Sequence, residues 1–144
     1  DGILIADMPI EEAGEMQKVC EKIGLEQIFI VAPTTKGNRM REVASKAKGF
    51  VYTVGVVGDT GERKRIEVST VKLVKSIKKN SKVPVCVGFG ISKPEHVKKI
   101  IKNKADGAIV GSAIETIIEN NLENKKVMLN KLDKFLKRMK EATK

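Results

Sequence analysis

The sequence predicts an α/β protein built on a parallel sheet. Short apolar runs begin near residues 3, 28, 50, 84 and 107, and each is followed by apolar residues at helical spacing. The runs are nearly continuous rather than alternating, as expected of strands in a sheet covered on its faces. A faint echo, Asp1-Gly2-Ile3-Leu4-Ile5 against Asp106-Gly107-Ala108-Ile109-Val110, suits a barrel made of repeated βα units. At 144 residues the chain is long enough for one domain with a substantial core.

The elements follow in order. Ile3 to Ala6 is a short strand stopped by Pro9, and residues 11–23 form a helix with Met16, Val19, Cys20 and Ile23 inward and Gly24 as its stop. Residues 28–32 are a second strand. Asn38 is placed to cap a helix over residues 39–48, with Met40, Val43, Ala44 and Ala47 as its inner stripe. A third strand over residues 50–54 runs into a polar loop, residues 55–65, with glycines at 55, 58 and 61, long enough to suggest a functional role. Val68, Val71, Val74 and Ile77 then mark a helix, and Val97, Ile100 and Ile101 another. Residues 124–142 form the plainest helix, expected to lie on the outside of the sheet, with Val127, Met128, Leu132, Phe135, Leu136 and Met139 on one face.

The most informative stretch is Pro84-Val85-Cys86-Val87-Gly88-Phe89-Gly90-Ile91-Ser92. A buried strand ends there in a glycine turn, and Ser92-x-x-Glu95 reads as a capping box with Pro94 in the first helical turn. The next strand, Ala108-Ile109-Val110, ends in Gly111-Ser112 before another helix. Bare backbone N–H groups at two neighbouring strand ends would converge on one phosphate, the position such a group takes in (β/α)₈ barrels.

The totals exclude several classes. The formal charge of +10 is spread over nearly every helix, and with one Tyr, four Phe and no Trp there is little for bases to stack on, so a solvated lysine-rich surface is favoured over nucleic-acid binding. No apolar run approaches the roughly 20 residues of a membrane span, and the sequence carries no leader pattern, so a soluble, cytoplasmic protein is expected. Cys20 and Cys86 lack metal-ligand spacing and read as reduced core residues.

The residues also resemble the tryptophan synthase alpha chain through nearly their whole length. The likeness is carried by Ala6-Asp7-Met8-Pro9 with Glu11-Glu12-Ala13, by Ile30-Val31-Ala32-Pro33-Thr34, and by Gly49-Phe50-Val51-Tyr52. Gly58-x-Thr60-Gly61, Val87-Gly88-Phe89-Gly90-Ile91-Ser92-x-Pro94-Glu95 and Ala105-Asp106-Gly107-Ala108-Ile109-Val110-Gly111-Ser112-Ala113-Ile114 complete it. Each motif is weak alone, and six in order are specific. The resemblance implies a (β/α)₈ TIM-barrel type with about five βα units present, like the fourth to eighth of the family's barrel.

The family cleaves indole-3-glycerol phosphate to indole and glyceraldehyde 3-phosphate, a retro-aldol lyase reaction of tryptophan biosynthesis with no cofactor of its own. Its beta-chain partner uses pyridoxal phosphate. Carried over by motif, Gly61, Gly90, Gly111 and Ser112 would bind the substrate phosphate, and Tyr52, Phe89 and Ile109 would line the rest of the pocket. Thr60 would belong to the loop that closes over the substrate and Pro9 to the surface facing the beta chain. The resemblance implies no catalytic residue in this segment, because the acid/base carboxylates lie on earlier units. Asp7, at a strand end, is therefore not favoured as a catalytic group, and Gly88 reads as a packing glycine.

The family pattern is departed from where Val54-Gly55-Val56-Val57 replaces a common Ser-Arg pair and Asp59 a common apolar residue. The chain is expected to be the C-terminal portion of a longer protein and inactive alone. The alternatives are a non-catalytic, self-associating half-barrel and another phosphate-binding barrel enzyme.

Overall fold

A computed structural model describes residues 1–35, 37–55 and 61–144, the side chains of residues 61–68 excepted. Thr60, Asp59, the tip of the glycine loop and the Val68 side chain lie outside the described residues. Five strands, β1 (Gly2–Leu4), β2 (Glu26–Val31), β3 (Val51–Val54), β4 (Val85–Gly88) and β5 (Gly107–Ile109), form one sheet in sequence order. Every neighbouring pair is parallel. The helices are α1 (Gly14–Ile23), α2 (Gly37–Lys46), α3 (Gly61–Lys78), α4 (Pro94–Lys102), α5 (Ser112–Glu119) and α6 (Lys125–Glu141), with a 3-10 turn at Ile10–Glu12 before α1. This is the half-barrel expected from the βα alternation.

The strand period of two divides the side chains between two faces. Phe29, Val31, Val51, Thr53, Val85 and Val87 are buried toward the helices, where Met40, Val43 and Ala44 of α2, Leu73, Val74 and Ile77 of α3, and Val97 and Ile100 of α4 complete the core. Ile28, Ile30, Tyr52, Val54, Cys86 and Ile109 point the other way and are half-buried, and Leu4 is exposed.

Local expectations shift where packing decides orientation. The inward stripe of α3 is Thr70, Leu73, Val74 and Ile77, with Val71 only half-buried, because 3.6 residues per turn does not keep a strict spacing of three on one face. On α1 only Cys20 is buried, while Val19 and Ile23 are 53% and 62% exposed, because the helix packs against β2 and the 3-10 turn through a narrower stripe than the spacing suggests. Its stop is as read, with Gly24 at φ +73° and its N–H donating to the Cys20 carbonyl. Helix α2 starts at Gly37, so Asn38 lies inside its first turn, and its side-chain oxygen accepts from Arg41 instead of capping. Helix α6 packs chiefly on α4 and α5; Met139 is buried, but Val127 and Leu136 are exposed. Its cap is Asn124, whose side-chain oxygen accepts the Val127 N–H at 3.1 Å.

At the N-terminal edge of the sheet, Asp106 joins β4 to β5. Its Oδ2 accepts the Val85 N–H at 2.9 Å, its own N–H donates to the Val85 carbonyl at 2.8 Å, and its Oδ1 receives Lys78 Nζ at 2.6 Å. This gives the Asp-Gly entry into the last strand a structural reason. Burial pushes the Asp106 carboxyl up, but the Lys78 hydrogen bond, the Val85 amide and the Lys78 charge outweigh it and hold the group below its usual value.

Candidate functional site

The C-terminal ends of β3, β4 and β5 surround a cavity of about 390 Å³, lined by Tyr52, Phe89, Gly90, Ile91, Ser92, Ile109, Gly111, Ser112 and Ala113. Six of the eight substrate-pocket residues named from the sequence therefore meet in one place. Strand register accounts for it: Tyr52 pairs with Cys86, Val54 with Gly88, and Gly88 with Ile109. Of the other two, Gly61 is the first residue of α3 and Thr60 lies outside the described residues.

Two consecutive positive φ angles, +86° at Phe89 and +72° at Gly90, turn the chain sharply after β4. Glycine adopts this region freely, but phenylalanine does so at a cost, and such strain gathers at functional sites. Phe89 is 64% exposed at the rim, so its side chain gains little burial in compensation.

Gly88 does more than fill space. A β-carbon there would lie 2.2 Å from the Tyr52 hydroxyl oxygen and 2.5 Å from the ring carbon bearing it. The Tyr52 ring thus lies across Gly88. Cys86 sits beside it on the same face, its thiol pushed up by burial and by the Asp106 charge.

The two helices entering the cavity begin differently from expectation. Ser92 does not cap α4: Lys93 is the N-cap residue, no side chain caps the helix, and Pro94 opens it. The Ser92 N–H donates instead to Nδ1 of His96, a side chain of the first turn of α4 that reaches back past the N-cap residue, at 3.3 Å, a contact not readable from a capping pattern. Helix α5 has Gly111 at its N-cap position, also without a side-chain cap. The Ile114 and Glu115 N–H groups donate to the Gly111 carbonyl at 2.7 and 3.2 Å, and Gly111, Ser112 and Ala113 ahead of them line the cavity, so the start of α5 stands at its wall, an arrangement suited to an anion.

A second cavity of about 370 Å³ opens at the ends of β1 and β2, where Asp7, Met8, Pro9, Ile30, Thr35 and Arg39 are among the lining residues. Pro9 is there, as the residue before the 3-10 turn, and Asp7 is exposed and apart from the Tyr52 cavity. Arg39 Nη2 meets Glu11 Oε2 at 3.2 Å on its rim. The sequence motifs give no site role to Arg39, Ile30, Ile91, Ala113 or His96. Ile30 was recoverable in principle, since it pairs with Tyr52, but only once the register was known. Among the described residues no group of three His, Cys, Asp or Glu side chains is placed to hold a metal, and no helix is long and apolar enough to cross a membrane.

Parallel strands in sequence order, each followed by a helix, with the cavity at their C-terminal ends, define a protein of the (β/α)₈ barrel type. A family model described as tryptophan synthase alpha chain matches residues 1–144. The chain belongs to the tryptophan synthase alpha chain family. It is 52% identical over 122 residues to the tryptophan synthase alpha chain of Methanocaldococcus jannaschii, covering 85% of this chain and 43% of that one. The corresponding protein of Methanothermobacter thermautotrophicus is 45% identical over 141 residues, covering 98% and 52%.

Among solved structures, one from the tryptophan synthase α2β2 complex of the hyperthermophile Pyrococcus furiosus superposes with a TM-score of 0.83 at 34% identity, covering 96% of this chain and 55% of that one. Tryptophan synthase subunit alpha from Legionella pneumophila gives 0.81 at 34% identity, covering 99% and 52%. The chain spans about half the length of the curated relatives it matches.

Proposed function

We propose that this chain supplies the phosphate-holding half of an indole-3-glycerol-phosphate lyase. The observation that carries the reading is the meeting of Tyr52, Phe89, Gly90, Ile109, Gly111 and Ser112 in one cavity, in a chain of this family. The amides of Gly90, Gly111 and Ser112 and the Ser112 hydroxyl bind the phosphate. Tyr52, Phe89 and Ile109 wall the apolar remainder.

Cleavage breaks the bond between the indole ring carbon and the glycerol chain. One carboxyl group protonates that ring carbon and another steadies the ring nitrogen as charge develops. In the family these groups lie on earlier βα units. The residues here bind and orient without transferring the proton, so the chain alone releases no indole. The reaction needs no cofactor from this chain; the pyridoxal phosphate belongs to a beta-chain partner, which Pro9 would face in the assembled enzyme.

The test is a titration of the ¹⁵N-labelled chain with glycerol 3-phosphate. Shifts centred on the amides of Gly90, Gly111 and Ser112 are expected. Binding elsewhere, or none at millimolar ligand, would refute the phosphate reading, and indole release by the purified chain would refute the absence of acid/base chemistry.

The concave face favours a second reading as a self-associating half-barrel. Leu4 is 38% exposed there, and Ile28, Ile30 and Val54 are only half-buried. An apolar surface of this kind favours association. A native mass twice that of the 15.8 kDa chain would support it, and a monomer at high concentration would not.

A further inference from the structure

The strained turn at Phe89 and Gly90 has to be held by its surroundings. Before it, the Gly55 N–H donates to the Gly88 carbonyl at 2.9 Å. Within the segment, Ile91 is buried. After it, α4 reaches back through His96, whose Nδ1 accepts the Ser92 N–H at 3.3 Å. His96 is half-buried, it is the only histidine of the chain, and the proposed phosphate chemistry makes no use of it.

We propose that His96 is a positioning residue of the anion cradle. Protonated on Nε2, its imidazole accepts the Ser92 amide through Nδ1 and clasps residues 89–92 in the turn that carries the Gly90 backbone to the cavity shared with Gly111 and Ser112. The role rests on the phosphate reading of that cavity. It demands an acceptor at this position rather than a charge, because a ring nitrogen that bears a proton cannot accept. The serine that would ordinarily cap the helix is thereby left with its hydroxyl uncommitted to α4, and Ser92 lines the cavity.

The experiment uses the ¹⁵N-labelled chain at about pH 8, above the usual imidazole pKa of about 6.5. With a single histidine the imidazole nitrogens need no assignment. Nδ1 should appear as the unprotonated nitrogen, with the Ser92 amide protected from exchange. Inorganic phosphate is then titrated into the wild-type chain, His96→Ala and His96→Asn.

Loss of one hydrogen bond of this kind should weaken phosphate binding about three- to tenfold in His96→Ala. Asparagine, whose oxygen stands near the place of Nδ1, should restore it to within about twofold of wild type. A protonated Nδ1, unchanged phosphate affinity in His96→Ala, or an asparagine variant as weak as alanine would each overturn the role. Should His96→Ala fail to fold, the tautomer and the asparagine variant still decide. If wild type binds no phosphate while Nδ1 is the acceptor, the cavity reading itself has failed, and the cradle role with it.

Discussion

Replacing Gly88 by alanine drives a methyl group into the Tyr52 ring. The added β-carbon would stand 2.2 Å from the hydroxyl oxygen, 2.5 Å from Cζ and 3.0 Å from Cε1, where ordinary contact begins at 3.4 Å. The ring must therefore withdraw by roughly 1 Å, or the β3 and β4 backbones must separate. Those backbones are paired at Val54 and Gly88, so the ring yields first. It is half-buried and borders the cavity, which gives it room.

The stability cost should accordingly fall at the low end for overpacking, about 1 kcal/mol, or roughly 2–4 °C in Tm for a chain of this size. Ligand binding should suffer more, because the displaced ring enters the space it previously walled. The chain has one tyrosine and no tryptophan, so the tyrosine band of the near-ultraviolet circular dichroism reports this ring alone. We expect that band to change in Gly88→Ala and glycerol 3-phosphate affinity to fall about tenfold or more, as misplacement of a binding wall by roughly 1 Å allows. In a Tyr52→Ala background the same glycine substitution should cost almost nothing, a coupling of about 1 kcal/mol. An unchanged tyrosine band, or an equal cost in both backgrounds, would refute the reasoning.

Two further predictions concern stability. Asp106→Asn should lower it at neutral pH by about 1–2 kcal/mol, toward the lower figure because the Lys78–Asp106 pair is more than one third exposed. The Asp106 pKa is lowered in the folded chain, so its contribution is complete above the unfolded value of about 3.9 and disappears as pH falls through the folded value. Denaturant melts of wild type and variant across this range should converge in acid. Asn124→Ala removes the acceptor for the Val127 amide and should cost about 1 kcal/mol, measured by the same melts. Asn124→Ser should recover most of it.

Much of the candidate site could be read without the fold. Gly90, Gly111 and Ser112 stand at turns that follow apolar runs, and turn chemistry is local. Tyr52 and Ile109 came from the family likeness, and register brings both to the same cavity. His96 escaped notice because Ser92-x-x-Glu95 fits a local pattern so well; whether a serine caps or its amide is taken by an imidazole depends on side-chain direction. Gly88 was read as a packing glycine, yet the group packed on it comes from residue 52, one strand away.

By itself, the sequence determined the number and order of the strands, their helical connections and the turns that close the last two. Those features follow from apolar period, glycine conformational freedom and proline's fixed geometry, all acting over a few residues. Only the tertiary structure decided which stripe of α3 faces inward, that α6 leans on α4 and α5, that Lys78 reaches Asp106, and that the Tyr52 ring crosses Gly88. Each of these depends on distances between segments tens of residues apart, set when parallel strands adopt one register and the helices fill the surface that register leaves.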